Sequence, residues 1–201
     1  MNSTVNATLG QRFSDAFAYA CEAHASQVRK GSDVPYVAHL MAVASLAMEA
    51  GGDEDVAIAA LLHDAAEDAG GEARLIDIGQ RFGERVQRIV RECSDCLVDD
   101  PKPAWRPRKE AYVASLETIS DDAVRVIASD KLHNLRTTVA DMAVDGKRCL
   151  DKFSSSPAEQ IWYFTEIAER LGRRDAASRH MAGIRDAVNV LRKEFAHDSI
   201  C

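Results

Sequence analysis

The sequence predicts an all-α protein folded as a single domain. Apolar residues recur with the spacing of amphipathic helices along the whole chain. Glycines and prolines fall between these segments, and no alternating apolar and polar run is long enough to predict a sheet. A length of 201 residues suits one domain with a sizeable core. We therefore expect a bundle of about 8–10 helices.

Glycine-containing loops divide the first half of the chain into helices. The loop 30–35 ends the first helix, and Gly51 ends the second. Asp53 is a suitable N-cap for the third helix, which ends at Gly70, and Gly83 separates the next two. In chain order, these predicted helices lie near 9–29, 37–51, 53–70, 72–82 and 84–97.

Proline and serine mark the boundaries in the second half. The segment 99–107 holds three prolines and predicts a functional loop within one domain rather than a linker between two. Ser120 is a suitable N-cap, and Ser156 with Glu159 forms a capping-box pattern around Pro157. The predicted helices lie near 108–118, 121–143, 157–172 and 174–196.

Composition and charge exclude several classes of partner. The hydrophobic fraction is 46% but the aromatic fraction only 6%, so small aliphatic side chains should build the core. The net charge of −7 disfavours binding to nucleic acid or to an anionic membrane surface. The negative net charge does not exclude a small phosphorylated ligand, because a binding pocket needs only local positive charge.

No apolar run reaches the length of a membrane span, since the best one, 56–62, stops at His63. The N-terminus lacks the pattern of a secretory signal, which predicts a cytoplasmic protein. The five cysteines are irregularly spaced and predict ordinary reduced thiols, including the Cys93 and Cys96 pair.

An unusual group of polar residues follows the apolar run 57–62. On one continuous helix, His63, Asp64, Glu67 and Asp68 would lie within a sector of about 140°. Carboxylates this close repel one another unless a cation neutralises them. A divalent metal ion would do so, but a solvated acidic helix end beside a core histidine fits this segment equally well.

Two further residues strengthen the case for a metal site. Asp130 follows Val126 and Ile127 on the predicted inward face of its helix, where an unpaired carboxylate is costly. A plain ion pair with a neighbouring base would also satisfy it. His39 stands among apolar residues at a helix start, where a histidine is more often a core residue. Together with His63 and Asp64, these residues form a plausible set of two imidazoles and two carboxylates from three helices.

The order of His39, His63-Asp64 and Asp130 resembles that of the HD-domain metal-dependent phosphohydrolases. The surrounding residues look most like the hydrolase domain of the RelA/SpoT homologues, in the form of the stand-alone small alarmone hydrolases. The resemblance extends from about residue 9 to residue 170, within one domain over 1–201 whose residues 172–201 form a C-terminal helical extension. The matching motifs are Arg29-Lys30-Gly31, Pro35-Tyr36-Val37-Ala38-His39, His63-Asp64-Ala65-Ala66-Glu67-Asp68 and Asp130-Lys131-Leu132-His133-Asn134-Leu135-Arg136-Thr137.

The resemblance implies a Mn²⁺-dependent enzyme that removes the 3′-pyrophosphate of guanosine 3′,5′-bis(diphosphate) alarmones and leaves GDP or GTP. It implies that the metal ligands are His39, His63, Asp64 and Asp130. It also implies that Glu67 and Asp68 are the catalytic carboxylates. Carried over in the same way, the substrate-binding residues are Arg29 and Lys30 for the nucleotide, and Asn134 and Thr137 for the ribose and phosphate.

The residue types suit this chemistry. A mixed imidazole and carboxylate set fits a six-coordinate ion such as Mn²⁺, although affinity order alone would favour Zn²⁺ or Cu²⁺. Glu67, four residues after His63, is placed to take a proton from water. Asp68, four residues after Asp64, could orient that water or protonate the leaving 3′-oxygen.

A basic cluster in this acidic chain is the candidate for binding pyrophosphate, with a solvated loop as the alternative. It consists of Arg106, Arg108 and Lys109. Tyr163 is a further candidate for a base or phosphate contact, although such a tyrosine is more often part of a core.

Two other functions stay open at this point. An HD phosphohydrolase could act on a different nucleotide, and a helical module could bind the alarmone without turnover. The base preference is not readable from the sequence. Nor is the oligomeric state, so a homo-oligomer remains open.

Overall fold

The computed structural model describes residues 8–97 and 103–196, and within them the protein is all-α, as predicted. The described ranges hold no β-strand, only an isolated antiparallel bridge between Val28 and Pro35. Part of the predicted proline-rich loop, 99–102, lies outside the described residues, as does Cys201.

Ten α-helices and two short 3-10 helices are formed by the described residues. The α-helices are α1 Gln11–Ala23, α2 Val37–Glu49, α3 Glu54–Leu62, α4 Ala65–Asp68, α5 Gly71–Phe82, α6 Glu84–Cys93, α7 Trp105–Ser115, α8 Asp121–Asp145, α9 Pro157–Leu171 and α10 Ser178–Ala196. The 3-10 helices are Gly146–Leu150 and Asp175–Ala177.

Helix α3 lies at the centre of the bundle because it is apolar on every side. Its residues 56–62 are all buried, and α1, α2, α6 and α8 pack around it. Asp53 caps its N-terminus through a hydrogen bond from the backbone N–H of Val56 at 3.2 Å. His63, which directly follows this helix, therefore lies in the interior of the bundle.

Truncating a side chain of this central helix should destabilise the fold. Leu61 is 1% exposed. We expect Leu61→Ala to lower the free energy of unfolding by about 2–5 kcal/mol, because the lost contacts leave a cavity that the bundle cannot fully close. Urea denaturation followed by circular dichroism measures this. Ile76, 47% exposed on α5, provides the control, and an equal loss for Ile76→Ala would contradict the assignment of α3 as the core.

The long helix α8 connects the centre of the bundle to its C-terminal part. Ser120 caps it as predicted, and α10 packs along it. The buried His180 on α10 has its Nε2 atom 3.1 Å from both the Leu46 carbonyl oxygen of α2 and the Ser129 Oγ atom of α8. Helix α10 thus supports the two helices that carry His39 and Asp130. The capping box of Ser156 and Glu159 at the start of α9 is also present.

Several predicted helices are wrong in their extent, and the one near 84–97 ends at Cys93 because Ser94 is extended. The first ends at Ala23 instead of continuing to 29, because the backbone of 27–36 pairs with itself around Gly31, whose φ is +76°. The Arg29 N–H donates to the Val34 carbonyl at 2.8 Å, and the Tyr36 N–H donates to the Gln27 carbonyl at 2.9 Å. These bonds within the loop replace helical ones.

The predicted helix 53–70 is also interrupted. Helix α3 ends at Leu62, and α4 begins at Ala65 with Asp64 at φ −96° and ψ −9°. Neighbouring side chains on a continuous helix point about 100° apart. The interruption instead lets His63 and Asp64 face one point.

Helix α7 begins at Trp105, inside the predicted loop. Pro107 lies in its first turn, where the backbone N–H that proline lacks would have had no helical partner. Among the described residues, none of the helices is both long and apolar enough to cross a membrane.

Candidate metal centre and active-site cavity

Three helices bring His39, His63 and Asp130 to one point, which we call the His–His–Asp centre. His39 lies in the first turn of α2, His63 directly follows α3, and Asp130 lies on α8. One potential ligand atom from each residue lies within 4.8 Å of the others, and all three residues are buried. The centre therefore has the composition and spacing of a site that could hold a metal ion.

The two imidazoles direct unpartnered nitrogen atoms at the same carboxylate. The Asp130 Oδ1 atom lies 3.2 Å from the His39 Nε2 atom and 3.8 Å from the His63 Nε2 atom. Both Nε2 atoms are buried and have no hydrogen-bond partner. Leaving buried polar atoms unpaired is costly. A cation between them would satisfy both, so the donor set fits a metal ion.

The other ring nitrogen of each histidine is occupied. The His63 Nδ1 atom lies 2.8 Å from the Ala60 carbonyl oxygen, to which it must donate, so the Nε2 atom of the neutral ring is left with its lone pair. The His39 Nδ1 atom lies 2.8 Å from the Nδ1 atom of His133. His133 belongs to a recognised motif, but this contact was not predicted from the sequence, although its position three residues after Asp130 puts it on the same side of α8.

Asp64 lies beside this centre. Its Oδ2 atom is 3.0 Å from the His63 Nε2 atom and 3.7 Å from the His39 Nε2 atom. The same oxygen accepts a hydrogen bond of 2.6 Å from the Tyr36 hydroxyl group. Tyr36 was part of a recognised motif, but the sequence did not predict this contact.

Asp130 joins the centre to the predicted nucleotide-binding residues. Its Oδ2 atom accepts a hydrogen bond of 2.6 Å from Lys131, and its Oδ1 atom accepts one of 2.5 Å from the Asn134 amide. The Asn134 Oδ1 atom accepts a hydrogen bond of 2.7 Å from Arg29. The fold thus brings together Arg29 and Asn134, which are 105 positions apart in the sequence and were predicted to share one site.

The centre opens into a cavity of about 670 Å³, a size typical of small-molecule sites. Twelve of the fourteen predicted site residues line it. They are Arg29, Lys30, His39, His63, Asp64, Glu67, Asp68, Lys109, Asp130, Asn134, Thr137 and Tyr163. The cavity also extends to Lys152 and Phe153, which the sequence did not predict. Lys30 and Lys152 lie over the Phe153 ring at 5.9 and 5.6 Å from its centroid.

The predicted basic cluster is split. Lys109 lines the cavity, but Arg106 does not. The Arg106 guanidinium carbon lies 3.5 Å from the centroid of the Trp162 ring, and its Nε atom donates to Glu110 at 2.7 Å. Arg108 is also absent from the cavity wall and pairs with Asp95. The geometry therefore gives support for a substrate contact by Lys109 but none for one by Arg106.

Tyr163 reaches the cavity from α9. Its hydroxyl oxygen is buried and has no hydrogen-bond partner. The ammonium groups of Lys109 and Lys131 lie 5.1 and 5.7 Å from the centroid of its ring. The cavity wall here therefore combines a hydroxyl group with two cations, which is suitable for phosphate oxygens.

Glu67 and Asp68 have different surroundings in the cavity. Burial and the neighbouring Asp95 carboxylate raise the pKa of Glu67 to about 7. Its Oε2 atom accepts a hydrogen bond of 3.2 Å from the Asp95 backbone N–H. Asp68 is more exposed and accepts a hydrogen bond of 2.8 Å from Gln27. Glu67 thus has the pKa expected of a group that exchanges protons near neutral pH.

Comparison with known proteins decides the family. The sequence profile of the HD domain matches residues 16–173. The chain belongs to the HD domain family. HD domains are metal-dependent, and in this one the His–His–Asp centre could hold the metal ion.

Relatives of this HD domain include curated enzymes. A protein of Synechocystis, named a probable guanosine-3′,5′-bis(diphosphate) 3′-pyrophosphohydrolase, is 34% identical over 160 residues, which are 78% of this chain and 20% of that protein. The Xenopus tropicalis protein MESH1, named a guanosine-3′,5′-bis(diphosphate) 3′-pyrophosphohydrolase, is 33% identical over 152 residues, 74% of this chain and 77% of MESH1. The chain spans about a fifth of the length of several of the curated relatives that it matches.

A solved structure supports the same relationship. It is described as a metazoan orthologue of SpoT that hydrolyses ppGpp, and it superposes on this HD domain with a TM-score of 0.72 and 26% identity. The match covers 91% of this chain and 97% of the other. The whole described bundle, and not only the motifs, therefore has the architecture of that protein.

Metal binding to this HD domain should release protons. Burial opposes a charged His63 imidazole, but the adjacent Asp64 and Asp130 carboxylates outweigh it and hold the pKa of His63 well above its ordinary value of 6.5. Since a metal ion needs the neutral ring, it must displace that proton, and binding should weaken as the pH falls. Calorimetric titration with Mn²⁺ in two buffers of different ionisation enthalpy counts the protons. Binding without proton release, or equally tight at acidic pH, would contradict this.

Proposed function

We propose that this HD domain hydrolyses guanosine 3′,5′-bis(diphosphate) alarmones to GDP or GTP and intact pyrophosphate, with Mn²⁺ as the metal ion. The observation that carries the proposal is the opening of the His–His–Asp centre into the cavity that Glu67 and Asp68 line. The names of MESH1 and of the Synechocystis protein support the choice of substrate.

The proposed metal ligands are His39, His63, Asp64 and Asp130. The unpartnered imidazole nitrogens and the facing carboxylate oxygens make a donor set of nitrogen and oxygen that suits Mn²⁺. When bound, such an ion supplies positive charge that polarises the scissile phosphoryl group and makes water more acidic. Lys131 and Tyr36 each hold one of the carboxylates in place.

The proposed reaction needs one proton removed and one delivered. Water attacks the phosphorus atom attached to the 3′-oxygen, and the bond between them breaks. Glu67 takes the proton of the attacking water, consistent with its raised pKa. Asp68 orients that water or protonates the leaving 3′-oxygen. The products are a nucleoside 5′-diphosphate or 5′-triphosphate with a free 3′-hydroxyl group, and pyrophosphate.

We assign binding of the substrate to the rest of the cavity wall. Arg29 and Lys30 contact the nucleotide, and Asn134 and Thr137 hold the ribose and the adjacent phosphate. Lys109 and Tyr163 bind the departing pyrophosphate, which is supported by the Lys109 ammonium group 5.1 Å from the centroid of the Tyr163 ring and by the unpartnered hydroxyl oxygen of Tyr163. The remaining members of the predicted set, Arg106 and Arg108, do not line the cavity.

Removing Arg29 should weaken alarmone binding more than turnover. We expect Arg29→Ala to raise KM about 10-fold, the equivalent of about 1.4 kcal/mol, with a smaller change in kcat. Steady-state kinetics with the alarmone measures both constants. The control is Arg88→Ala, which removes an exposed cation from α6 outside the cavity. An unchanged KM for Arg29→Ala would favour a different nucleotide as the substrate.

A panel of nucleotides tests the proposed substrate class. Purified protein with Mn²⁺ should hydrolyse guanosine 3′,5′-bis(diphosphate) and lose this activity after chelation. Faster turnover of a deoxynucleotide or a cyclic dinucleotide would assign the HD domain to another phosphohydrolase activity. Binding of the alarmone without turnover at any divalent metal would instead identify a sensor.

A further inference from the structure

Asp95 is a largely buried carboxylate in the cavity wall that binds two cations. It lies just after α6, and its side chain is only 2% exposed. Arg108 and Lys109 of α7 both donate to its Oδ2 atom. A buried carboxylate needs such partners, because its ionised form loses the solvation of water. Neither the family resemblance nor the motifs gave Asp95 a function.

This ion-pair cluster touches Glu67. The Asp95 backbone N–H donates to the Glu67 Oε2 atom at 3.2 Å, while the Arg108 Nη1 atom lies 3.8 Å from the Glu67 Oε1 atom. Arg108 therefore sits between two carboxylates and hydrogen bonds to Asp95. If Asp95 lost its charge, Glu67 would be the nearest anion for this buried guanidinium group.

A direct ion pair between Arg108 and Glu67 would impair the proposed chemistry. The ion pair would turn the Glu67 carboxylate toward α7. The positive charge of Arg108 would also make that carboxylate a weaker acceptor of the water proton. In the structure as it stands, Glu67 lines the cavity and Arg108 does not.

We propose that Asp95 is a positioning residue, which draws Arg108 onto itself and so keeps Glu67 directed at the reacting water. The inference rests on the proposed function for the chemistry of Glu67. It also explains the position of Arg108, which does not line the cavity but lies next to Glu67. Arg108 and Asp95 act together: the Asp95 carboxylate is needed for catalysis because it keeps the Arg108 guanidinium group away from Glu67.

Kinetics of single and double variants test this proposal. Asp95→Asn should lower kcat about 100-fold, the scale of a small misplacement of a reacting group, with KM nearly unchanged. The double variant Asp95→Asn with Arg108→Gln removes the competing guanidinium group, leaves Lys109 in place and should recover about 10-fold of that loss. A merely structural role would not produce such rescue. Asp77→Asn, which breaks a bridge to Arg81 on the surface, is the matched control.

Two kinetic results would overturn the inference. The first is a raised KM with unchanged kcat in Asp95→Asn, which would mean that the cluster serves the substrate. The second is a double variant no faster than Asp95→Asn, which would mean that Arg108 does not interfere with Glu67. Thermal unfolding of both variants identifies any loss of fold, and the double variant carries no unpaired buried guanidinium group.

A crystal structure of Asp95→Asn provides a readout independent of turnover. We expect Arg108 to move within hydrogen-bond distance of Glu67. An Arg108 side chain that keeps its present position would overturn the inference. If the wild-type protein failed to hydrolyse the alarmone, the proposed function would fall, while this structural comparison would still decide whether Asp95 holds Arg108 away from Glu67.

Discussion

Replacing His63 with alanine is expected to abolish tight binding of Mn²⁺ and to lower alarmone hydrolysis at least about 1,000-fold, since a lost metal ion removes several kcal/mol of transition-state stabilisation. His63 contributes one of the two imidazole nitrogen atoms of the His–His–Asp centre that are buried without a hydrogen-bond partner. Its Nδ1 contact with the Ala60 carbonyl orients the ring toward the centre. Calorimetry and steady-state kinetics measure the two effects.

His180 offers a matched control for this substitution. It is also a buried histidine, 3% exposed, but it bonds to Leu46 and Ser129 away from the cavity. His180→Ala should lower the thermal stability while the folded protein still binds Mn²⁺. If His63→Ala bound the metal as tightly as the wild type, the proposed ligand set would be wrong.

Replacing Glu67 with glutamine is expected to lower kcat about 100- to 10,000-fold, the usual contribution of a general base. Glutamine keeps the shape and can still accept the Asp95 N–H bond, but it cannot take a proton. Binding of Mn²⁺ and the value of KM should change little, because Glu67 is not among the proposed ligands. Product formation under substrate saturation, followed by nucleotide chromatography, measures kcat.

Glu72 provides the control for Glu67. It is an exposed glutamate on α5 that pairs with Arg91, outside the cavity. Glu72→Gln should retain wild-type kcat. If Glu67→Gln kept at least a tenth of the wild-type kcat, Asp68 would become the preferred base, and Asp68→Asn would then be the variant to measure.

Much of the fold was predictable because its signals are local. The caps at Asp53, Ser120 and Ser156 were correctly predicted from residue type and spacing, since each involves only the next three residues. The apolar run before His63 predicted a buried helix for the same reason. The early end of α1 was missed because bonds between Arg29, Val34 and neighbouring residues override the local helical pattern.

Some residues of the candidate site could be predicted from the sequence. Motif order singled out His39, His63 and Asp130, which the structure brings together. Their roles as ligands stay predictions until a metal is measured. Arg106 was predicted to bind the substrate because of its charge. Charge does not reveal where a side chain points, and the Arg106 guanidinium group packs on Trp162.

Asp95 shows why other residues around the cavity could not be predicted from the sequence. It stands between two cysteines outside the recognised motifs, and its partners are 13 and 14 residues further along the chain. Only the packing of α7 beside the cavity brings Arg108 and Lys109 to it. Lys131 is similar, since its neighbours Tyr112 and Tyr163 come from α7 and α9.

The most direct test of the proposed function is the fate of labelled water. Purified protein, Mn²⁺ and guanosine 3′,5′-bis(diphosphate) are incubated in ¹⁸O-water, and the products are analysed by mass spectrometry. Attack of water on phosphorus predicts intact pyrophosphate carrying one ¹⁸O atom and unlabelled GDP. Orthophosphate as the product, label in the nucleoside 3′-hydroxyl group, or equal turnover after chelation would contradict the account.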